Sequence, residues 1–176
     1  MNTTNTYKAI LLILLVTTLV SCKEEKSKEE PQKMNATENF EKEKKAILDR
    51  LNNETKDAFE RNYEAWAQNW VHDPDITKTY LNFHENTFSE SLGWEEISMF
   101  VKNYFKEHPE PEPLPEPLKN IDIRLYENAA WVTYKQKDKV RGLKRETRLM
   151  EKKDGIWKIA GMSTTIYGFK TENQQK

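Results

Sequence analysis

The chain has a single cysteine, Cys22. An internal disulfide is therefore excluded, and so is a metal site built on cysteines. An excess of one charge is also missing: 28 Lys and Arg stand against 29 Asp and Glu, a formal net charge of −1. No basic face stands out, so the footprint of a nucleic-acid binder is absent. The five glycines form neither a phosphate-cradling loop nor a dinucleotide fingerprint. None of Ser21, Ser27, Ser91 and Ser163 sits in a Gly-x-Ser-x-Gly elbow, which leaves covalent serine catalysis without support. No internal repeat is visible, and no apolar run is long enough to span a bilayer comfortably as a helix.

The apolar run that does occur, Ala9 to Val20, is almost wholly aliphatic, with Lys8 before it and a Lys/Glu-rich stretch after it. That pattern is a secretory signal peptide. Its ending, Leu19-Val20-Ser21-Cys22, resembles a bacterial lipobox, in which the cysteine is lipidated and becomes the first mature residue. The resemblance implies a signal peptide over 1–21, a membrane anchor on Cys22, and a place in the cell envelope facing periplasm or exterior. Each buried methylene adds about 0.8 kcal/mol to membrane affinity, so two or more acyl chains hold stably where one does not. Residues 22–36 hold Pro31 and no apolar period, and read as a disordered tether. A folded domain is expected over 37–170 and a flexible tail over 171–176.

Within the domain, Ile47, Leu48, Leu51, Ala58, Phe59, Tyr63, Trp66 and Trp70 recur at spacings of three and four, which predicts helix from Asn35 to about Val71. Asn52-Asn53 is the expected break, and His72-Asp73-Pro74-Asp75 the end. Residues 76–91 predict a hairpin turning at His84-Glu85-Asn86. Gly93 opens a second helix with Glu95 and Glu96 in its first turn, where the helix dipole favours acids. Ile97, Phe100, Val101, Tyr104 and Phe105 form its apolar stripe, and Pro109 stops it. Prolines at 109, 111, 113, 115 and 117 enforce an extended connector. Alternating strands follow, the last two joined by the tight-turn dipeptide Asp154-Gly155. Helices first and strands afterwards predict an α+β layer fold.

Three segments carry a family resemblance: Gly93-Trp94-Glu95-Glu96-Ile97 opening the second helix, the aromatic stretch from Tyr63 to Trp70, and Asp154-Gly155-Ile156-Trp157-Lys158-Ile159 followed by Ser163. Their order resembles the nuclear transport factor 2-like superfamily, in its SnoaL-like and ketosteroid-isomerase-like branch, over about residues 38–168. The resemblance implies a curved antiparallel sheet wrapped around the N-terminal helices, a cone-shaped, cystatin-like roll with a pocket at its open end. Members often dimerise through the outer face of the sheet, so a homodimer is an expected partner state. Some members are enzymes, some bind ligands and some are scaffolds, so fold does not fix function.

Trp66, Trp70, Tyr80, Trp94, Trp131 and Tyr134 are the candidates for lining such a pocket, with core filling as the alternative for most of the tryptophans. Arg148 is the candidate for meeting an anionic group on a ligand through two parallel hydrogen bonds. His72 and His84 are candidate general bases, since an imidazole titrates near neutrality. A metal at His72 and Asp73 would need one more His or acid to converge, His84 being a candidate; no metal and no cofactor are expected. Asp122 and Glu146 read as surface or salt-bridged carboxylates. The leading reading is a lipid-anchored module binding a small apolar or anionic molecule. An isomerase, cyclase or dehydratase and a dimerising scaffold are the alternatives.

Overall fold

The computed structural model describes residues 36–138 and 142–168. The signal segment, Cys22, all of the tether except Ala36, and the tail 171–176 lie outside the described residues. Ala36 opens helix α1 (Ala36–Phe59), in which Ile47 and Leu51 recur one turn apart and are fully buried. The helix runs straight through Asn52-Asn53, where the sequence suggests a break. Asn52 instead mimics a backbone edge. Its Nδ2 donates to the Leu118 carbonyl at 3.2 Å, and its Oδ1 accepts from the Leu118 amide at 2.8 Å. Those two bonds pin the far end of the proline-rich connector to α1.

The break falls at Arg61, whose φ of 60° is left-handed, a conformation that costs most side chains free energy. Here the side chain is held from three directions. Nη1 donates to the Ala58 carbonyl at 2.8 Å, Nε donates to the His108 carbonyl at 2.7 Å, and the guanidinium pairs with Glu112. It also lies over the rings of Tyr104 and Phe105. Asn62 then caps the short helix α2 (Tyr63–Gln68) by accepting from the Ala65 amide at 3.1 Å.

The hairpin forms as expected, from β1 (Thr77–Asn82) and β2 (Thr87–Leu92), with Asn86 at φ 49° in its turn. Helix α3 (Gly93–Glu107) follows at once. Gly93 has φ 75°, and a Cβ there would meet the Pro74 carbonyl oxygen at 3.0 Å, so both conformation and space require glycine. After the extended connector come β3 (Asp122–Leu125), β4 (Ala129–Asp138), β5 (Gly142–Lys153) and β6 (Ile156–Ile166). Asp154 and Gly155 both take positive φ in the last hairpin.

The sheet has six strands in the order β2-β1-β6-β5-β4-β3 and is not closed. It is mixed, because β1 runs parallel to β6 while every other pair is antiparallel. The segment leaving α2 sets that direction. The Ile159 amide donates to the Asn69 carbonyl at 2.8 Å, and the Val71 amide donates to the Ile159 carbonyl at 2.9 Å. The chain is thus already bonded alongside β6, running the same way, before β1 begins. Between Leu149 and Met150 the β5/β6 register shifts, leaving Ala160 as an extra residue on β6. A bulge of this kind bends and twists its strand. It also keeps Trp157 and Ile159 on the same helix-covered side as Met162 and Thr164, and all four are buried. Ile47, Leu51, Trp66, Ile97, Val132, Met150 and Ile159 form the centre of the core. Among the described residues no helix is long and apolar enough to cross a membrane.

Candidate functional site

Strand alternation and register place two rows of side chains side by side on the helix-covered face. The first row reads Lys78 on β1, Met162 on β6, Arg148 on β5 and Val132 on β4. The next reads Tyr80, Thr164, Glu146 and Tyr134 on the same four strands. Lys78, Arg148 and Glu146 are 5, 5 and 2% exposed. Buried charge is costly unless it is paired and hydrogen-bonded, so the partners of each decide what the face can do.

Glu146 is fully engaged. Its Oε2 accepts from Arg148 Nη1 at 2.6 Å and from Thr164 Oγ1 at 2.6 Å, and its Oε1 lies 3.0 Å from Lys144 Nζ. Burial raises the affinity of this carboxylate for a proton, but Arg148, Lys144 and Thr164 outweigh it and hold the group below the usual carboxylate range. Arg148 lies on the inner face, but it is already committed to Glu146. Its Nε is buried without a hydrogen-bond partner among the described residues, as is the indole nitrogen of Trp70. Tyr134 lies under the Arg148 guanidinium, 5.8 Å from ring centroid to Cζ, and burial raises its hydroxyl well above the ordinary range.

Lys78 differs. No ion pair or hydrogen bond joins it to another described residue, and its Nζ is not among the buried side-chain atoms left without a partner, so the ammonium keeps an edge open to solvent. Its Nζ lies 3.7 Å from the Phe100 ring centroid and 4.5 Å from that of Tyr80. Those aromatic faces attract the cation without satisfying its three N–H donors. Burial pulls the ammonium down from 10.5 to about 8, with Arg148 pushing the same way against Glu54 and Glu146. Phe100, expected in the buried stripe of α3, is 43% exposed and forms the outer wall over this lysine.

The aromatic candidates divide. Trp66 is buried, stacks on Trp94 at 5.9 Å and lies tilted against Trp70 at 5.6 Å. Its Nε1 donates to Glu54 Oε1 at 2.9 Å. Glu54 reaches in from α1 and is close enough to bear electrostatically on Lys78, Arg148 and Tyr134. It links the tryptophan group to the polar rows. Tyr80 and Tyr134 sit within those rows. Trp131 does not join them: its register partner is Leu149, it points to the opposite face, and it is 48% exposed. There it lines an open cleft of about 720 Å³ with Phe40, Arg124 and Arg145. The charged groups of that cleft are solvated side chains on a surface. The inner face, with its desolvated charges, is the stronger functional candidate.

Neither histidine reaches the inner face. His72 is exposed, stacks on Trp94 at 3.8 Å and donates from Nε2 to the Ala67 carbonyl at 2.9 Å. His84 lies in the exposed β1–β2 turn. They do not converge with Asp73, and among the described residues no group of three His, Cys, Asp or Glu is placed to hold a metal. Asp122 is exposed, whereas Glu146, expected to be surface or salt-bridged, is salt-bridged and buried.

Lys78, Glu54 and Thr164 are absent from the residues singled out by sequence. For Lys78 the sequence does carry a signal: a period of two puts it on the face of Tyr80. No family model matches the sequence, and no curated protein matches it. Solved structures do resemble it. A nuclear transport factor 2-like protein of unknown function from Shewanella oneidensis is 21% identical, with a TM-score of 0.52 over 70% of this chain and 98% of that one. A cystatin-like fold protein from Burkholderia xenovorans is 16% identical, with a TM-score of 0.54 over 72% and 92%. A nuclear transport factor 2-like protein of unknown function from Pseudomonas putida is 12% identical, with a TM-score of 0.55 over 77% and 93%. At these identities the likeness is one of fold, and the chain has the nuclear transport factor 2-like, cystatin-like fold.

Proposed function

We propose that this chain is a lipid-anchored, extracytoplasmic module that binds a small, mostly apolar molecule carrying one anionic group on the inner face of its sheet. The observation that carries the reading is Lys78, a desolvated cation seated on two aromatic rings with no carboxylate paired to it. A carboxylate on a ligand would complete the ion pair that the protein leaves unmade, and charge-assisted hydrogen bonds are the strong ones. Arg148 supports the site from behind, through Glu146, and is not the anion contact. Phe100 and Tyr80 give the ligand's apolar part a surface to cover. This fold accommodates small ligands, which is consistent with the assignment. The anchor rests on the sequence Leu19-Val20-Ser21-Cys22.

Two measurements test the two halves of the proposal. Cys22→Ser in the producing bacterium should move the protein from the membrane fraction to the soluble fraction; retention on membranes would remove the anchor. Thermal unfolding of the full chain should be raised by apolar carboxylates such as aryl acids and medium-chain fatty acids. At a ligand concentration of 100 times Kd the stabilisation is about 2.7 kcal/mol. Lys78→Met should abolish that ligand-induced rise. A rise of equal size in wild type and variant would exclude Lys78 as the contact, and no rise with any acid would exclude the binding reading.

A further inference from the structure

Lys78 differs from the other charged groups on the inner face in a second way: it is a nucleophile. An amine attacks carbon only through its free lone pair, and a lysine gains that form when it is desolvated and lies near another cation. Both conditions are met. The side chain is 95% removed from solvent, the Arg148 guanidinium lies one strand beyond Met162 in the same row, and no carboxylate clamps the ammonium. The groups around it come from four elements: Glu54 on α1, Tyr80 on β1, Phe100 on α3, and Glu146 with Arg148 on β5. Glu54 and Glu146 are each held by a donor, Trp66 Nε1 and Arg148 Nη1. Both act on the ammonium through space, Glu54 more strongly than Arg148, and neither forms an ion pair with it, so burial is what favours the free amine.

We infer that Lys78 is a covalent capture site for small carbonyl compounds, aldehydes or ketones with an apolar body, which it holds as a reversible imine. The inference rests on the ligand-binding reading of the same face and adds the chemistry of the ligand. The step balances without an oxidant or reductant. The Nζ lone pair adds to the carbonyl carbon, forming the C–N bond. The carbonyl oxygen takes up the two protons that the nitrogen loses and departs as water, leaving C=N. The half-exposed Phe100 ring places Nζ just inside the rim, where that water can leave. Phe100 and Tyr80 would then flank the imine carbon, and the aromatic contact that now holds the cation would hold the adduct. With the ammonium brought down to about 8, the free-amine fraction near neutrality exceeds that of an ordinary lysine by on the order of 100-fold.

The test uses the full chain, 4-carboxybenzaldehyde as probe, sodium cyanoborohydride to fix the imine, and peptide mapping by mass spectrometry. The matching alcohol, 4-(hydroxymethyl)benzoate, presents the same ring and carboxylate but forms no imine. At pH 7 to 8, Lys78 should be modified at least about tenfold faster than the surface lysines. Its rate should level off above a midpoint near 8, while theirs keeps climbing. Lys78→Met and Lys78→Arg should lose only that adduct, and the alcohol should slow its formation by competition. Even labelling across the lysines, or an unmodified Lys78 in a folded chain, would overturn the inference. If the alcohol still raises the unfolding temperature in that case, the imine fails and the binding reading survives. If neither compound acts, both fail.

Discussion

Glu146→Ala should destabilise the protein by about 3–5 kcal/mol, the range measured when one partner of a buried ion pair is deleted. The reason is what the substitution leaves behind. Arg148 is 5% exposed, its Nε already lacks a partner, and Nη1 would lose its 2.6 Å bond to the carboxylate. Thr164 Oγ1 and Lys144 would lose the same acceptor. Domains of this size are stable by roughly 5–15 kcal/mol in total, so a loss of this order would leave a large unfolded fraction at growth temperature. The double variant Glu146→Leu, Arg148→Met separates the cost of an orphaned charge from the worth of the pair. Replacing both partners by apolar groups of similar volume should return most of the loss or carry stability beyond wild type, by up to ~4 kcal/mol. Urea unfolding followed by circular dichroism gives both numbers. A single-variant cost under about 1 kcal/mol would show that water reaches Arg148 and that the pair is not desolvated. The same carboxylate sets an acid limit. Its proton affinity is lowered in the fold from an ordinary 4.5. Its contribution is therefore present in full above that value and disappears as pH falls through the lower, folded value.

That pair was half legible in the sequence. Alternation over residues 143–151 puts Glu146, Arg148 and Met150 on one face, and the structure keeps them there. The face as a whole was not legible, because burial is set by what lies opposite. Glu54, sixth in line after Leu48 on a helix full of Lys and Glu, looks like one more solvated acid until Trp66 is seen to donate to it. Lys78, between two threonines, looks like an edge-strand lysine pointing to water. Trp131 is the converse case. Aromaticity suggested a pocket, yet a period of two separates it from Tyr134, and the register sends it outward. The hairpins, the second helix and the extended connector follow from local chemistry: Gly93 and Gly155 at positive φ, and proline's fixed φ. The parallel β1/β6 pairing and the break at Arg61 depend on partners far along the chain, Ile159 in one case and His108 with Glu112 in the other. No local pattern encodes such partners.

Lys78→Met should make the protein more stable at pH 7, and the gain should shrink as pH rises. The ammonium is brought from 10.5 to about 8, and a shift of that size corresponds to about 3 kcal/mol of differential interaction between the two protonation states. Between pH 8 and 10.5 the unfolded chain holds a proton on this lysine that the folded chain does not, so wild-type stability rises with pH across that window. The contribution is complete above 10.5 and absent below 8, where the charged amine must be buried. Methionine keeps the unbranched stem, removes the charge and makes sulfur–aromatic contacts with Phe100 and Tyr80. Against this stands the lost attraction of the cation to the two rings, roughly 0.5–2 kcal/mol. Desolvation is the larger effect, which leaves a net gain of about 1–3 kcal/mol at neutral pH. Other lysines and the tyrosines titrate in the same range, so the informative quantity is the difference in unfolding free energy between variant and wild type, followed from pH 7 to 10.5. A variant less stable than wild type at pH 7, or a difference that stays flat with pH, would show that the lysine is solvated or paired in solution. A lysine whose removal stabilises the fold while abolishing the response to aryl acids is one retained at a cost in stability, the trade-off expected of a residue kept for what it binds.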